Sequence, residues 1–161
     1  MLLEFKIRGL VMDPNNNSPI VLLQDCRGDS ILPIWVGIFE ANAIALQIEK
    51  IDTPRPMTHD LIKIIMNHME IKVQRIVITN LKENTFHAVL ELSSQERKVI
   101  VDCRPSDAIA IAMRMDSPIY VSDEVISKSQ NATITKSRLD PADVKEWLES
   151  LDPDDLGKYK M

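Results

Sequence analysis

The amino-terminal residues alternate between apolar and polar side chains, the pattern of a strand that buries one face. The apolar positions are Leu3, Phe5, Ile7 and Val11, and the polar positions are Glu4, Lys6 and Arg8. Two apolar runs, 20–25 and 31–37, each follow a segment rich in turn-forming residues. This pattern predicts an antiparallel meander of three strands at the start of the chain.

Three later segments place apolar residues at the three- and four-residue spacing of an amphipathic helix. They span residues 38–51, 59–71 and 105–115. For the second segment Thr58 is the predicted N-cap, since its hydroxyl can accept a bond from the first helical turn. The predicted buried stripe of that helix consists of Leu61, Ile64, Ile65 and Met69.

Further strands and one more helix complete the predicted elements. The strand segments are 72–80, 85–93, 97–103 and 117–122. Residues 122–139 lack periodicity and are predicted to form a loop. A terminal helix is predicted over 142–151, because Asp140 suits the N-cap and Pro141 the first helical position.

These elements predict an α+β fold, in which a mixed, largely antiparallel sheet has three to four helices packed on it. Residues 1–126 are the predicted main domain, and 127–161 a loop and carboxy-terminal helix appended to it. Segments 31–46 and 97–112 both run from a strand through a polar corner into a helix containing Ala-Ile-Ala. This echo is compatible with an internal duplication, although apolar strand–helix units also resemble each other by chance.

Composition narrows the class of protein. The 161 residues suit one stable domain, and no apolar run approaches the roughly eighteen residues of a membrane helix. The net charge of −5 counts against a passive coat on nucleic acid but not against a local basic patch. Cys26 and Cys103 lack metal-like spacing and are predicted to be free thiols, as in a cytoplasmic protein. No glycine-rich phosphate loop or Rossmann fingerprint occurs, so no nucleotide cofactor is expected.

Four segments of the chain resemble one known family. They are "LPIWVGIFEANAIAL", "TPRPMTHDL", "TFHAVLEL" and "DCRPSDAIAIAMRMDSPIYV". Their order and spacing are similar to those of the bifunctional nuclease family, over roughly residues 3–126. The two Arg-Pro segments are the most distinctive part of the resemblance.

The resemblance implies a compact α+β domain that self-associates, with a dimer favoured, and that acts on DNA and RNA. The resemblance assigns no residue a proven catalytic role. The first hypothesis is a nuclease with little sequence preference, assisted by a divalent metal. The alternative is a non-enzymatic oligomeric binding or regulatory module, whose Arg-Pro corners serve assembly or receive a small acidic ligand. Neither hypothesis involves a membrane.

The candidate site residues follow from the chemistry of phosphodiester hydrolysis, which needs an activated water, positive charge and a proton donor. The candidate catalytic residues are Glu40, His59, Asp60 and Asp107. The candidate substrate-binding residues are Arg55, Thr58, Arg104 and Ser106. Oxygen ligands suit Mg²⁺ or Mn²⁺, and the candidate ligands are Glu40, Asp102 and Asp107.

A structural interpretation of the same residues stands beside the catalytic one. Asp60 and Asp107 lie in predicted first turns of helices, where a carboxylate stabilises by about 0.3–1 kcal/mol without any ligand. Arg55 and Arg104 would then pair with these carboxylates. A single site requires the starts of the three helices to converge on one edge of the sheet.

Overall fold

The structure is a computed structural model that describes residues 1–28, 30–129 and the backbone of 134–135. The strands in this part of the chain are β1 (Leu2–Met12), β2 (Pro19–Asp25), β3 (Ser30–Trp35), β4 (Lys72–Lys82), β5 (Thr85–Ser94), β6 (Arg97–Cys103), β7 (Ile119–Ser122) and β8 (Ile134–Thr135). The helices are α1 (Ile38–Ile48), α2 (Thr58–His68), α3 (Pro105–Met115) and α4 (Asp123–Lys128).

The described strands form one mixed sheet in the order β6-β5-β4-β7-β1-β2-β3-β8. The meanders β1–β3 and β4–β6 are both antiparallel. The short strand β7 joins them, antiparallel to β1 and parallel to β4. The predicted α+β fold with a mixed, largely antiparallel sheet is therefore confirmed, while the internal duplication stays a prediction.

The middle helix of the layer above the sheet is α3, which contacts both α1 and α2 and packs on β4 and β5. Its residues Ala108, Ala110 and Ala112 are all buried. Because alanine side chains are small, the helix axis can lie close to its neighbours, and Ile109 fills the core beneath it. The alanine-rich pattern thus places α3 between two other helices.

Three helices end in the same way, with a left-handed residue that is not glycine. Lys50, Glu70 and Asp116 follow α1, α2 and α3 with φ of 53°, 55° and 53°. The next residue in each case donates its backbone N–H to a carbonyl of the last turn. This geometry stops a helix even though only four glycines are present in the chain. It explains why α1 ends at Ile48 and not at the predicted residue 51.

The segment 122–139 was wrongly predicted to be a loop throughout. Ser122 caps α4 by accepting a hydrogen bond from the Glu124 backbone N–H at 3.3 Å, and the later strand β8 pairs with β3. A helix of six residues is too short to reveal a period in the sequence. The predicted terminal helix at 142–151, with Asp140 and Pro141 at its start, lies outside the described residues.

The predicted buried stripe of α2 was wrong. Leu61, Ile64, Ile65 and Met69 are exposed to solvent, and it is Ile62 and Met66 that pack against the core. Apolar residues occupy more than one side of this helix, so its sequence alone does not decide which side turns inward. The side that faces inward is the one whose His59 and Asp60 bond to Asp107 and Arg114 of α3.

A buried carboxylate organises the turn between β1 and β2. Asp13 is fully buried and accepts hydrogen bonds from the Trp35 indole Nε1 at 2.9 Å and from the Asn15 backbone N–H at 2.8 Å. Its own N–H donates to the carbonyl of Ser18 at 2.8 Å. These bonds join the turn to the end of β3, and they offset the cost of burying a charged group.

Replacing Trp35 with Phe should lower the free energy of unfolding by about 1–3 kcal/mol, because it removes one donor from a buried carboxylate. Urea unfolding of the two proteins would measure the loss. The cost should shrink in an Asp13→Asn background, where the group left behind is neutral. Equal stability of the parent and the Trp35→Phe variant would contradict this role of the bond.

Candidate active site at three helix amino termini

The amino-terminal ends of α1, α2 and α3 are joined by hydrogen-bonded side chains. Arg104, the residue before α3, donates from Nη1 to Glu40 Oε1 at 2.8 Å and from Nε to Asp107 Oδ2 at 2.9 Å. The other oxygen of Asp107, Oδ1, lies 2.9 Å from His59 Nε2. The structure therefore brings Glu40, His59, Arg104 and Asp107 together, and these four residues are called the helix-start network below.

Glu40 is held in the first turn of α1 against a glycine. A Cβ atom added to Gly37 would meet the Glu40 carboxylate, so a larger residue here would require the Glu40 side chain to shift. Gly37 has an ordinary extended conformation, with φ of −70°, and its role is one of space rather than of backbone freedom. In the sequence Gly37 marks only the end of a strand, and its second role was not predicted.

The charge state of Asp107 results from opposing effects. Partial burial raises the pKa of this carboxyl, but hydrogen bonds from Arg104 and His59 outweigh burial, and the net pKa lies below its usual range. Asp107 is thus ionised at neutral pH and can only accept hydrogen bonds. It follows that His59 donates from Nε2, and that in the neutral imidazole the basic nitrogen is Nδ1.

A second carboxylate of the site is paired with an arginine that sequence reasoning missed. Arg114 donates from Nε to Asp60 Oδ1 at 2.7 Å, although the side chain of Arg114 is only 1% exposed. It also donates to the carbonyl oxygens of Ala110 at 2.9 Å and Ala43 at 3.0 Å. One guanidinium therefore joins all three helices. The available signal was a lone arginine in the alanine-rich pattern of α3.

Asp60 also stabilises the first turn of α2, and its partners correct the predicted N-cap and the predicted ion pair of this residue. Its Oδ2 accepts the backbone N–H of Met57 at 2.9 Å, and Met57 is the N-cap, so the N-cap assigned to Thr58 was wrong. The pKa of Asp60 is lowered, first by the hydrogen bond from Arg114. The expected pairing of Asp60 with Arg55 is replaced by the pairing with Arg114, because Arg55 is exposed on the preceding loop.

The remaining candidates are not among the four residues of the helix-start network. Thr58 is exposed at the first position of α2, and Ser106 is buried in the first turn of α3. Asp102 is exposed near the end of β6 and makes no hydrogen bond or ion pair with the network within the described part of the chain. The described residues include no group of three or more His, Cys, Asp or Glu side chains placed to hold a metal ion.

The two cysteines are free thiols, as predicted. Burial raises the pKa of Cys103 to about 11, and the charges of Asp102 and Asp107 add to this effect. The Cys103 thiol is therefore protonated at neutral pH and is a poor nucleophile. His68 and His87 are both exposed and lie outside the network.

The comparison with known proteins is consistent with this geometry. A profile of the bifunctional nuclease domain matches residues 21–133. The chain therefore belongs to the bifunctional nuclease domain family. The match includes every residue of the helix-start network.

Individual relatives are similar over different extents. An uncharacterized protein of Mycobacterium tuberculosis, Rv1829, is 37% identical over 95% of this chain and 97% of its own length. Bifunctional nuclease 1 of Oryza sativa subsp. japonica is 29% identical, and bifunctional nuclease 2 of Arabidopsis thaliana is 30% identical. Each plant alignment covers 66% of this chain but only 33% of the plant protein.

Replacing Arg114 with Met should lower the free energy of unfolding by about 3–5 kcal/mol, because it removes the charged partner of Asp60 and one donor from each of two carbonyl oxygens. Chemical denaturation would measure this loss. The matched control is Arg75→Met, which breaks the more exposed pair with Glu91 at 2.7 Å and should cost about 0–1 kcal/mol. A similar small cost for both variants would contradict a central role for Arg114.

The stability of the protein should fall as the pH falls through the lowered pKa values of Asp60 and Asp107. Their folded pKa values lie below the unfolded value of about 3.9, so both stabilise above that pH and lose this effect in acid. In Asp60→Asn the free energy of unfolding should depend less steeply on pH below about 4. Unfolding curves at several pH values test this, and an unchanged slope would contradict it.

Proposed function

We propose that this protein is a nuclease that hydrolyses phosphodiester bonds in DNA and RNA with little sequence preference. The observation that carries the proposal is the convergence of a histidine, two carboxylates and an exposed arginine at the starts of three helices, in a chain of the bifunctional nuclease domain family. Family membership supports the class of reaction. The helix-start network supports its location.

His59 is the proton-transfer group in this proposal. Asp107 fixes the imidazole through Nε2, which leaves Nδ1 to take a proton from the attacking water. The water oxygen bonds to phosphorus while the bond from phosphorus to the leaving oxygen breaks. The leaving oxygen then receives a proton from the imidazolium, so that the histidine returns to its neutral form. Asp107 stabilises the imidazolium between these steps.

Arg104 is the phosphate-binding residue. Its side chain is 54% exposed, and Nε and Nη1 are engaged by Asp107 and Glu40. The Nη2 group is thus the part of the guanidinium that can meet a non-bridging oxygen. The positive ends of α1, α2 and α3 add to the attraction for a phosphate. Glu40 and Asp107 orient the guanidinium, and Asp60 keeps α2 at the correct angle through Arg114.

A requirement of the reaction for a divalent ion, Mg²⁺ or Mn²⁺, is a separate point that experiment must test. Glu40 and Asp107 already accept bonds from Arg104, and Asp102 is not joined to them, so these three residues do not fit an ion as they stand within the described chain. Binding an ion would require both carboxylates to leave Arg104. The proton transfer by His59 described above needs no such rearrangement.

Location and partners follow from the same proposal. The expected substrates are DNA and RNA, and contact through the phosphate backbone carries no sequence preference of its own. The free thiols Cys26 and Cys103 support a cytoplasmic location. Among the described helices none is long and apolar enough to span a membrane.

A non-enzymatic module that binds a partner or a small acidic ligand is the second candidate function. The observation that favours it is that the side chains of the helix-start network are already bonded to one another. The His59 side chain is only 12% exposed, and each carboxylate of the helix-start network already faces a basic group. In this alternative the four residues hold the three helices together and do no chemistry.

The test of the proposed function is cleavage of labelled single- and double-stranded DNA and RNA by highly purified protein. We expect His59→Ala to reduce turnover by about 10²–10⁴-fold, because it removes the proton-transfer group. Asp107→Asn should also reduce turnover, because the amide no longer fixes the imidazole. Reactions with Mg²⁺, with Mn²⁺ and with EDTA would establish whether an ion is needed.

His87→Ala is the matched control, since this histidine is exposed on β5 and outside the network. Its turnover should equal that of the parent protein, and circular dichroism should show that all variants are folded. Cleavage that persists equally in His59→Ala and Asp107→Asn would identify a contaminating nuclease. The binding module would then be the better description of the protein.

A further inference from the structure

One exposed aromatic ring lies beside the helix-start network. Phe39 is in the first turn of α1, directly before Glu40, and it is 85% exposed. The other aromatic residues in the described part of the chain are buried or half-buried, and they are Phe5, Trp35, Phe86 and Tyr120. Within that part of the chain, Phe39 is therefore the aromatic face most accessible to a ligand.

The surroundings of Phe39 are charged. The neighbouring Glu40 accepts a hydrogen bond from Arg104 Nη1 at 2.8 Å, and the Arg104 side chain is 54% exposed. The centre of a protein–protein contact is usually depleted of charged residues, so this setting is unlike such a contact. A nucleotide combines an anionic phosphate with an aromatic base. Arg104 and Phe39 together offer a partner for each of these two parts.

We propose that Phe39 stacks on an unpaired base of the substrate, so that the protein binds single-stranded DNA and RNA in preference to duplexes. This inference rests on the proposed function and narrows its substrate class. In a duplex each base is paired and stacked between its neighbours, so a side chain reaches its face only after the base has left the stack. Every base has a π-face, so stacking on Phe39 adds affinity without adding sequence preference.

The position of Phe39 on a helix suits this role. The hydrogen bond from the Ala41 backbone N–H to the Gly37 carbonyl, at 2.9 Å, closes the turn that carries the ring. A phenylalanine side chain has only two rotatable bonds, so holding it against a base costs little conformational entropy. Ile38, on the same turn, is 67% exposed and adds apolar surface beside the ring. The turn therefore presents a rigid apolar contact next to a cation.

Binding of three matched oligonucleotides tests the proposal. They are a single strand, the duplex of the same sequence, and a single strand of equal length whose sugars carry no bases. All contain phosphorothioate linkages that resist hydrolysis, and fluorescence anisotropy gives each dissociation constant. The parent should bind the single strand most tightly. Phe39→Ala should raise the dissociation constant of the single strand about 5–150-fold and leave the other two constants unchanged.

Two further substitutions separate stacking from simple apolar contact. Phe39→Trp should bind the single strand at least as tightly as the parent, because the larger ring stacks well. Phe39→Leu should bind almost as weakly as Phe39→Ala, because leucine keeps apolar volume but has no aromatic face. The indole introduced by Phe39→Trp should lose fluorescence on binding the single strand and keep it with the strand that lacks bases. The parent supplies the background signal of Trp35 and Trp147.

Two control variants separate this inference from the proposed function. Arg104→Gln should weaken the binding of all three oligonucleotides, because phosphate is common to them. Met69→Ala should change none of the constants, since Met69 is 65% exposed but follows the far end of α2, about 15 Å along the helix from His59. Circular dichroism would verify that all variants are folded.

Several results would overturn the proposal. If Arg104→Gln weakens binding and Phe39→Ala does not, the phosphate site stands and base stacking is wrong. If the parent binds none of the three oligonucleotides, the proposed function and this inference are both wrong. Equal affinity of the parent for single strand and duplex, or parent-like binding by Phe39→Leu, also contradicts stacking. An oligomer that dissociates in Phe39→Ala, as measured by sedimentation velocity, would show that another protein chain covers the ring.

Discussion

The buried guanidinium of Arg114 is the interaction on which the arrangement of the helices depends. It binds Asp60 of α2, the carbonyl of Ala43 in α1 and the carbonyl of Ala110 in its own helix α3. A charge buried to this extent is costly unless all its donors are satisfied, so the three bonds are needed together. The planar shape of arginine allows one side chain to reach partners in three helices. This fixes the angle at which α2 meets α3, and with it the position of His59.

The candidate site is a consequence of that arrangement. Once α1, α2 and α3 are fixed, their positive ends meet, and Glu40 and Asp107 balance this charge. Arg104 bridges the two carboxylates and stays half-exposed, which is the property a phosphate ligand needs. Ion pairs that only brace a surface are often equally exposed, so this exposure is compatible with the catalytic and the structural interpretation alike.

Much of the fold could be predicted from the sequence, since alternation, turn residues and helical spacing act over short distances. The convergence of Glu40, His59 and Asp107 was also within reach, because each lies in the first turn of a helix that the sequence predicts. The side of α2 that faces inward could not be predicted, because contacts with residues distant in sequence bury Ile62 and leave Ile65 exposed. The role of Arg114 could not be predicted for the same reason, since its acceptors become neighbours only in the folded chain. The end of α1 could not be predicted either, because its left-handed residue is Lys50 and not the glycine that usually marks a helix end.

We propose that nucleic acid binds the protein where the three helices begin. An NMR titration of isotope-labelled protein with a short phosphorothioate oligonucleotide, which resists hydrolysis, tests this most directly. The backbone signals of Glu40, His59 and Arg104 should shift first and saturate together, while that of His87 stays in place. Shifts confined to residues elsewhere, or no shifts at a large excess of oligonucleotide, would contradict the claim and favour a purely structural role for the network.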